Sequence, residues 1–248
     1  MDAYCAIPRQ SDYDLAVIGA GSAGFSAAIT AANLGARVVL IGHGLIGGTC
    51  VNIGCVPSKT MIRAAEAVHG ARAAARFPGI AGEASVTNWS ALVAGKDDLV
   101  STLRQKKYVD LLSDYEGVDY LEGRARFEGE TLLVDGQPLH AGKVIIATGA
   151  VPAIPDIIGI ADVPILTSTT ALELNERPRS LLVIGGGYIG CELAQMFARL
   201  GTEVTLVTRS RLLSEAEPEV SEALTNYLRD ENIAIRTSLN YIGIVGHD

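Results

Sequence analysis

Cysteine is scarce in this chain, with four residues among 248, and the four are unevenly spread. That count and spacing argue against a disulfide-stapled scaffold and for a reducing cytoplasm. Basic residues are the minority, 20 Lys and Arg against 28 Asp and Glu, for a net charge of −8. The deficit of positive charge argues against nucleic acid as a partner. The start of the chain lacks the basic cluster of a secretory signal, because Asp2, Asp12 and Asp14 stand against Arg9 alone. Charge is missing altogether from residues 15–36, a stretch long enough to span a bilayer. Its glycines, Gly19, Gly21, Gly24 and Gly35, instead fit a buried strand and helix joined by a tight turn, with no membrane span.

What the chain does carry is concentrated at one place. Cys50 and Cys55 sit in Gly47-Gly48-Thr49-Cys50-Val51-Asn52-Ile53-Gly54-Cys55-Val56-Pro57-Ser58-Lys59. Pro57 suits the first turn of a helix, where its missing N–H would have no partner anyway. A helix starting near Val56 puts Cys55 at its N-terminus, where unpaired N–H groups and the helix dipole favour a thiolate. Lys59 lies four residues on, on the same helix face. Gly54 allows a turn tight enough for the two sulfurs to meet. The pattern points to a redox-active pair that makes and breaks a disulfide. A structural zinc site is the weaker reading, since it needs about four ligands and the closest candidates, His43 and His69, have no ligand spacing. An inert buried pair is the third reading, against which the neighbouring glycines and lysine speak.

Two glycine fingerprints flank the thiols in sequence. Residues 14–19 read as an apolar strand, Gly19-Ala20-Gly21-Ser22-Ala23-Gly24 as a turn, 22–34 as an Ala-rich helix and 37–41 as the next strand, a parallel βαβ unit. The second unit has a strand over 181–184, the turn Gly185-Gly186-Gly187-Tyr188-Ile189-Gly190, a helix over 188–200 and a strand over 203–207. A helix over 218–230 and a strand over 233–236 follow. One such fingerprint is weak evidence; two, each bracketed by strand and helix, are strong. Between them the pattern predicts a redox helix over 56–75, ended by Phe77-Pro78-Gly79. A long amphipathic helix over 88–115 comes next, with Trp89, Leu92, Leu99, Leu103 and Leu111 as its apolar positions. Short strands at 118–121, 124–127 and 131–134 precede a buried strand at 143–147 that ends in Thr148-Gly149, and Pro152, Pro155 and Pro164 mark a linker. The expected fold is α/β, with two Rossmann-like dinucleotide-binding domains of which the second is incomplete. Its expected layout is an extension over 1–12, a first domain with the thiol pair over 13–150, a linker and start of the second domain over 151–180, and a partial second domain over 181–248.

A dinucleotide's pyrophosphate should sit on each helix N-terminus, above the glycine turn. The ribose contact belongs at the end of the following strand. In the first unit that end reads Ile41-Gly42-His43-Gly44, without an acid. In the second it reads Thr208-Arg209-Ser210-Arg211. Two arginines and no acid suggest a 2′-phosphate, hence NADPH over NADH. A solvated basic turn is the bland alternative.

From about Asp12 to Arg236 the chain resembles the flavin-dependent pyridine nucleotide–disulfide oxidoreductases, above all through the cysteine motif at 47–59. Val51, Val56 and Met61-Ile62-Arg63-Ala64-Ala65 look more like the mercuric reductases of that family than its lipoamide dehydrogenases. The resemblance implies FAD and NADPH as cofactors, with the FAD domain first and the NAD(P)H domain second. Gly19, Gly21 and Gly24 would hold the FAD pyrophosphate, and Gly185, Gly187 and Gly190 that of NADPH. Gly44 and Thr49 would contact FAD, Ala125 would lie near the adenine, and Thr148 and Gly149 would close the FAD domain. Cys55 would be the thiol next to the flavin and Cys50 the one exchanging with substrate. Lys59 would lie near the flavin N5 edge and pair with Glu192, and Tyr188 would cover the nicotinamide pocket.

The implied reaction is reduction of Hg²⁺ to Hg⁰, with Hg²⁺ as a soft cation suited to thiolate sulfur. Lipoamide or another small disulfide is the alternative substrate. An inactive nucleotide- or metal-binding fragment is the alternative of another class. Two features depart from the family. Gly42 stands where members carry a ribose-binding acid. Members also continue through the rest of the NADPH domain, a second FAD segment and a domain that makes the full-length homodimer. The chain is therefore expected to be an amino-terminal portion that binds FAD weakly, associates readily and turns over little on its own.

Overall fold

A computed structural model describes residues 12–246. The extension expected over 1–12, with Cys5, lies outside the described residues except for Asp12. In chain order the elements begin β1 (Tyr13–Ile18), α1 (Ser22–Asn33), β2 (Val38–Gly42), α2 (Gly48–Asn52), α3 (Cys55–Ala73) and α4 (Trp89–Arg104). Then come α5 (Asp110–Leu112), β3 (Val118–Glu122), β4 (Ala125–Glu128), β5 (Thr131–Val134), β6 (Gln137–Leu139) and β7 (Ala141–Ile146). The chain continues with α6 (Ser168–Ala171), β8 (Ser180–Ile184), α7 (Tyr188–Arg199), β9 (Glu203–Val207), α8 (Pro218–Asp230) and β10 (Ala234–Arg236).

The chain forms two compact units that interleave in sequence. Among the described residues, one comprises those up to Asn52 together with Val100–Val151; the other comprises Ile53–Leu99 and those from Pro152 onward. A single span over 13–150 therefore does not describe the first unit. Burial gives the reason. Met61, Ala65 and Val68 of α3, with Trp89 and Val93 of α4, pack into one cluster with Met196 and Phe197 of α7. Helix α3 thus finds its apolar partners in the second unit.

The first unit holds a parallel sheet in the order β3-β2-β1-β7. All five residues of β2 are buried, as expected of a parallel strand covered on both faces. On one face Val17, Val38, Leu40 and Val118 pack against Phe25 and Ala28 of α1. On the other, Ala16, Val39 and Ile41 meet Leu132 and Val134 of the antiparallel sheet β4-β5-β6. Strand β6, which contains Pro138, is not among the strands expected from the sequence. Proline is tolerated at a sheet edge, and β6 is an edge strand. The strand expected to be buried near 143–147 is β7, and it is exposed along most of its length. It lies at the edge of its sheet, paired to β1 alone.

The second unit holds the parallel sheet β10-β9-β8. Phe197 is completely buried and stacks on Trp89, with ring centroids 6.0 Å apart. Trp89 Nε1 donates to the Leu174 carbonyl at 2.7 Å. The long helix expected over 88–115 is helical but not uniform, since a π-turn over Gln105–Val109 separates α4 from α5. Its buried stripe is Trp89, Val93, Lys96 and Val100, while Leu99 is exposed. Lys96 fits this stripe because its ammonium donates to the Leu172 carbonyl at 3.0 Å and pairs with Asp97 at 2.5 Å. Among the described residues no helix is long and apolar enough to cross a membrane, and residues 15–36 fold as β1, the glycine turn, α1 and the start of the next loop.

Candidate functional site

The first glycine turn is shaped by close backbone approach. Gly19 has φ +115°, and a Cβ there would fall 2.1 Å from the Ala147 carbonyl oxygen. A Cβ on Gly24 would fall 1.7 Å from the Gly19 carbonyl oxygen. Gly21 is the N-cap of α1 and gives it no side-chain cap, and the first turn of α1 contains no acid. Its leading N–H groups therefore remain available to an anion. Gly47 N–H donates to the Ala20 carbonyl at 2.8 Å, and Gly21 bridges Gly47. The loop before the thiols thus lies directly against the turn. Gly44, with φ +81°, belongs to that loop, and exposed Thr49 lies in α2, next to Cys50. Thr148 and Gly149 follow β7 and are exposed, and half-buried Ala125 opens β4.

The second turn repeats the design. Gly185 has φ +117°, and a Cβ on Gly190 would fall 2.1 Å from the Gly185 carbonyl oxygen. Gly187 caps α7 through its backbone alone, again with no acid in the first turn. Tyr188 opens the helix and is exposed. The two arginines past β9 differ in situation. Arg211 donates to the carbonyls of Ser214 and Ala216 at 2.9 and 2.7 Å, and so ties down its own loop. Arg209 is exposed and its guanidinium forms no such bond.

Cys50 lies in α2 and Cys55 is the first residue of α3; both are exposed. The chain passes from the first unit to the second between them. Gly54 caps α3 without a side chain, and the first turn of α3 carries no acid. Lys59 Nζ pairs with Glu192 Oε2 at 2.5 Å, joining α3 to α7 within the second unit. The remaining described cysteine is unlike these two. Cys191 is buried, and burial, with the nearby Glu192 charge, pushes its thiol up to about 11. It stays protonated at neutral pH.

The sequence profile of the pyridine nucleotide-disulphide oxidoreductases matches residues 13–248. The chain belongs to that family. A mercuric reductase from Streptomyces lividans is 50% identical to it over 237 residues, covering 93% of this chain and 50% of that protein. One from Staphylococcus aureus is 48% identical over 235 residues, covering 94% and 43%. The chain therefore spans about half the length of the relatives it matches. Among solved structures, the HOCl-induced flavoprotein disulfide reductase RclA from Escherichia coli superposes with a TM-score of 0.81 at 33% identity, covering 95% of this chain and 51% of that one.

The glycine turn of the first unit has the chemistry to take a dinucleotide. The cradle is one a Cβ would fill, and the helix end above it is uncapped and free of acid. Residues that sequence reasoning did not single out complete the cradle. Asn52 donates to the carbonyls of Ile46 and Gly48, both at 2.9 Å, and accepts from Arg104 at 3.0 Å. It fixes the loop between the glycine turn and Cys50. Ser22 and Tyr108 share a hydrogen bond at 3.0 Å, and Tyr108 meets Phe25 edge-on at 4.9 Å. Asn52 was visible inside the cysteine motif; Tyr108 had no local signal, because it reaches α1 only through the fold.

Proposed function

We propose that this chain supplies the nucleotide sites and the thiol pair of an enzyme that reduces Hg(II) to Hg(0) with NADPH in the cytoplasm. The observation that carries the reading is the double arrangement of uncapped helix ends over glycine turns, one in each unit, with the Cys50–Cys55 motif on the chain between them. The half-length similarity to mercuric reductases supports Hg²⁺ as the substrate. Gly19, Gly21 and Gly24 would hold the pyrophosphate of FAD, with Gly44, Thr49, Ala125, Thr148 and Gly149 around the rest. When bound there, FAD supplies hydride acceptance and two-electron transfer between NADPH and the thiols. Gly185, Gly187 and Gly190 bind the NADPH pyrophosphate, Arg209 meets the 2′-phosphate, and Tyr188 shields the nicotinamide.

Cys50 and Cys55 bind Hg²⁺ as thiolates, which a soft cation prefers. Cys55 stands at the uncapped start of α3, whose first turn carries no acid. Lys59, held by Glu192, places a positive charge one helical turn further on. In the overall step NADPH becomes NADP⁺ and a proton, and Hg²⁺ takes up the two electrons and leaves as Hg⁰. A small disulfide is the second reading, favoured by the close superposition on a flavoprotein disulfide reductase.

The test uses the purified chain with FAD added. NADPH is expected to convert the oxidised Cys50–Cys55 pair into two titratable thiols, a gain absent from Cys55→Ser. NADPH absorbance is then followed with Hg²⁺ or with lipoamide as acceptor. Loss driven by Hg²⁺ supports the first reading, and loss driven only by lipoamide supports the second. No new thiols with both nucleotides bound would refute the relay itself.

A further inference from the structure

The end of β2 lacks the acid that dinucleotide folds place there for the ribose, and the neighbouring strand explains why. A Cβ on Gly42 would fall 2.5 Å from Tyr120 Oη, 2.9 Å from Tyr120 Cε2 and 2.9 Å from Ala20 Cβ. The space where an acid side chain would start is already filled. Tyr120 comes from β3, whose register sets it beside Leu40 and sets Glu122 beside Gly42. Residues two apart on a strand share a face. Tyr120 therefore lies on the face of Leu40, Val17 and Val118, the one covered by α1. Its ring lies over Gly42, with the hydroxyl 2.5 Å and Ala20 Cβ, in the glycine turn, 2.9 Å from the point a Gly42 Cβ would occupy.

That hydroxyl forms no hydrogen bond with the described residues. Burial, then the charge of Glu122, raises its pKa above the usual 10. It is a neutral group that can donate one hydrogen bond and accept another.

We propose that the Tyr120 hydroxyl makes the contact to the adenosine ribose of FAD that a carboxylate at the end of β2 makes in other dinucleotide folds. The inference rests on the FAD reading of the first unit. Gly42 and Tyr120 then form one device: the glycine clears the space and the tyrosine supplies the polar atom. A side chain at 42 would start within 2.9 Å of both the Tyr120 ring and Ala20 Cβ, so it could not enter without displacing one of them.

The experiment measures Kd by flavin fluorescence for FAD and for its adenosine 2′-deoxy and 3′-deoxy analogues, on the 248-residue chain and on Tyr120→Phe. The wild-type chain is expected to bind FAD roughly three- to tenfold more tightly than one of the two analogues. Tyr120→Phe should lose that same factor for FAD and bind FAD and that analogue alike. An unchanged FAD affinity in Tyr120→Phe overturns the proposal. So does an equal loss for FAD and both analogues, which would mark a purely structural role. If the wild-type chain binds no FAD, the reading of the first unit falls and takes this inference with it. FAD binding without coupling to a ribose hydroxyl removes the Tyr120 inference alone.

Discussion

At the residue scale, glycine carries most of the information, and its reasons differ from place to place. Gly35 has φ +87° with open space where a Cβ would go. Its replacement costs only the strain of a left-handed backbone, roughly 1–2 kcal/mol. Gly24 is helical, so its backbone would accept alanine, but the Cβ would collide with a carbonyl oxygen 1.7 Å away. Gly24→Ala must separate α1 from the turn. We expect a loss of about 3 kcal/mol or more in urea unfolding followed by circular dichroism, at the upper end of overpacking effects. A loss below that of Gly35→Ala would show that the contact yields easily. The fingerprint glycines were legible in the sequence because their spacing is fixed by the turn. Tyr120 was not, since nothing in residues 118–122 announces that its ring lies over Gly42. That fact depends on the register of β3 against β2.

At the element scale, sequence patterns placed helices and central strands well and edges poorly. The helix starting at Pro218 and the strand at 203–207 follow from proline at the first helical position and from a short apolar run. The exposed course of β7 was not legible, because its apolar residues look the same whether or not a neighbour covers them. The stripe of α4 was misplaced for a related reason: Lys96 reads as solvent-facing until its carbonyl partner is known. Polar side chains also fasten α7 to α8. Glu231, just past α8, accepts from Arg199 at 2.6 and 2.7 Å and from Gln195 at 2.7 Å. Burial raises its pKa, but the hydrogen bond and charge of Arg199 outweigh this and hold the carboxyl below the usual 4.5. A carboxyl with a depressed folded pKa adds stability above its unfolded value and loses it as pH falls through the folded value. Glu231→Gln should therefore melt below the wild type at neutral pH, by the equivalent of about 1.5–3 kcal/mol. The gap should close as the pH drops below 4.5. A gap that stays constant down to strongly acid pH would mean that the charge contributes nothing.

At the scale of the whole molecule, the sequence contains two dinucleotide units but hides their interleaving. The insertion of residues 53–99 into the second unit is decided by apolar contacts between α3, α4 and α7, which are distant in sequence. One consequence is experimentally useful. Trp89 is the single tryptophan of the chain, and it is buried against Phe197 in the core of the second unit. Its fluorescence reports the unfolding of that unit. A ligand that binds only the folded form stabilises it by RT ln(1 + [L]/Kd), about 2.7 kcal/mol at a hundredfold excess over Kd. NADP⁺ at the turn before α7 should therefore shift the Trp89-reported transition to higher urea. NAD⁺ at the same concentration should shift it less, because Arg209 would find no 2′-phosphate. Arg211 is already committed to the carbonyls of Ser214 and Ala216, so the preference rests on Arg209. Arg209→Glu is expected to reduce or reverse the difference between the coenzymes, while the transition without ligand stays in place because Arg209 is exposed. Equal shifts with NADP⁺ and NAD⁺ in the wild type would remove the argument for NADPH. No shift with either would mean that the second glycine turn of this chain does not hold a nucleotide.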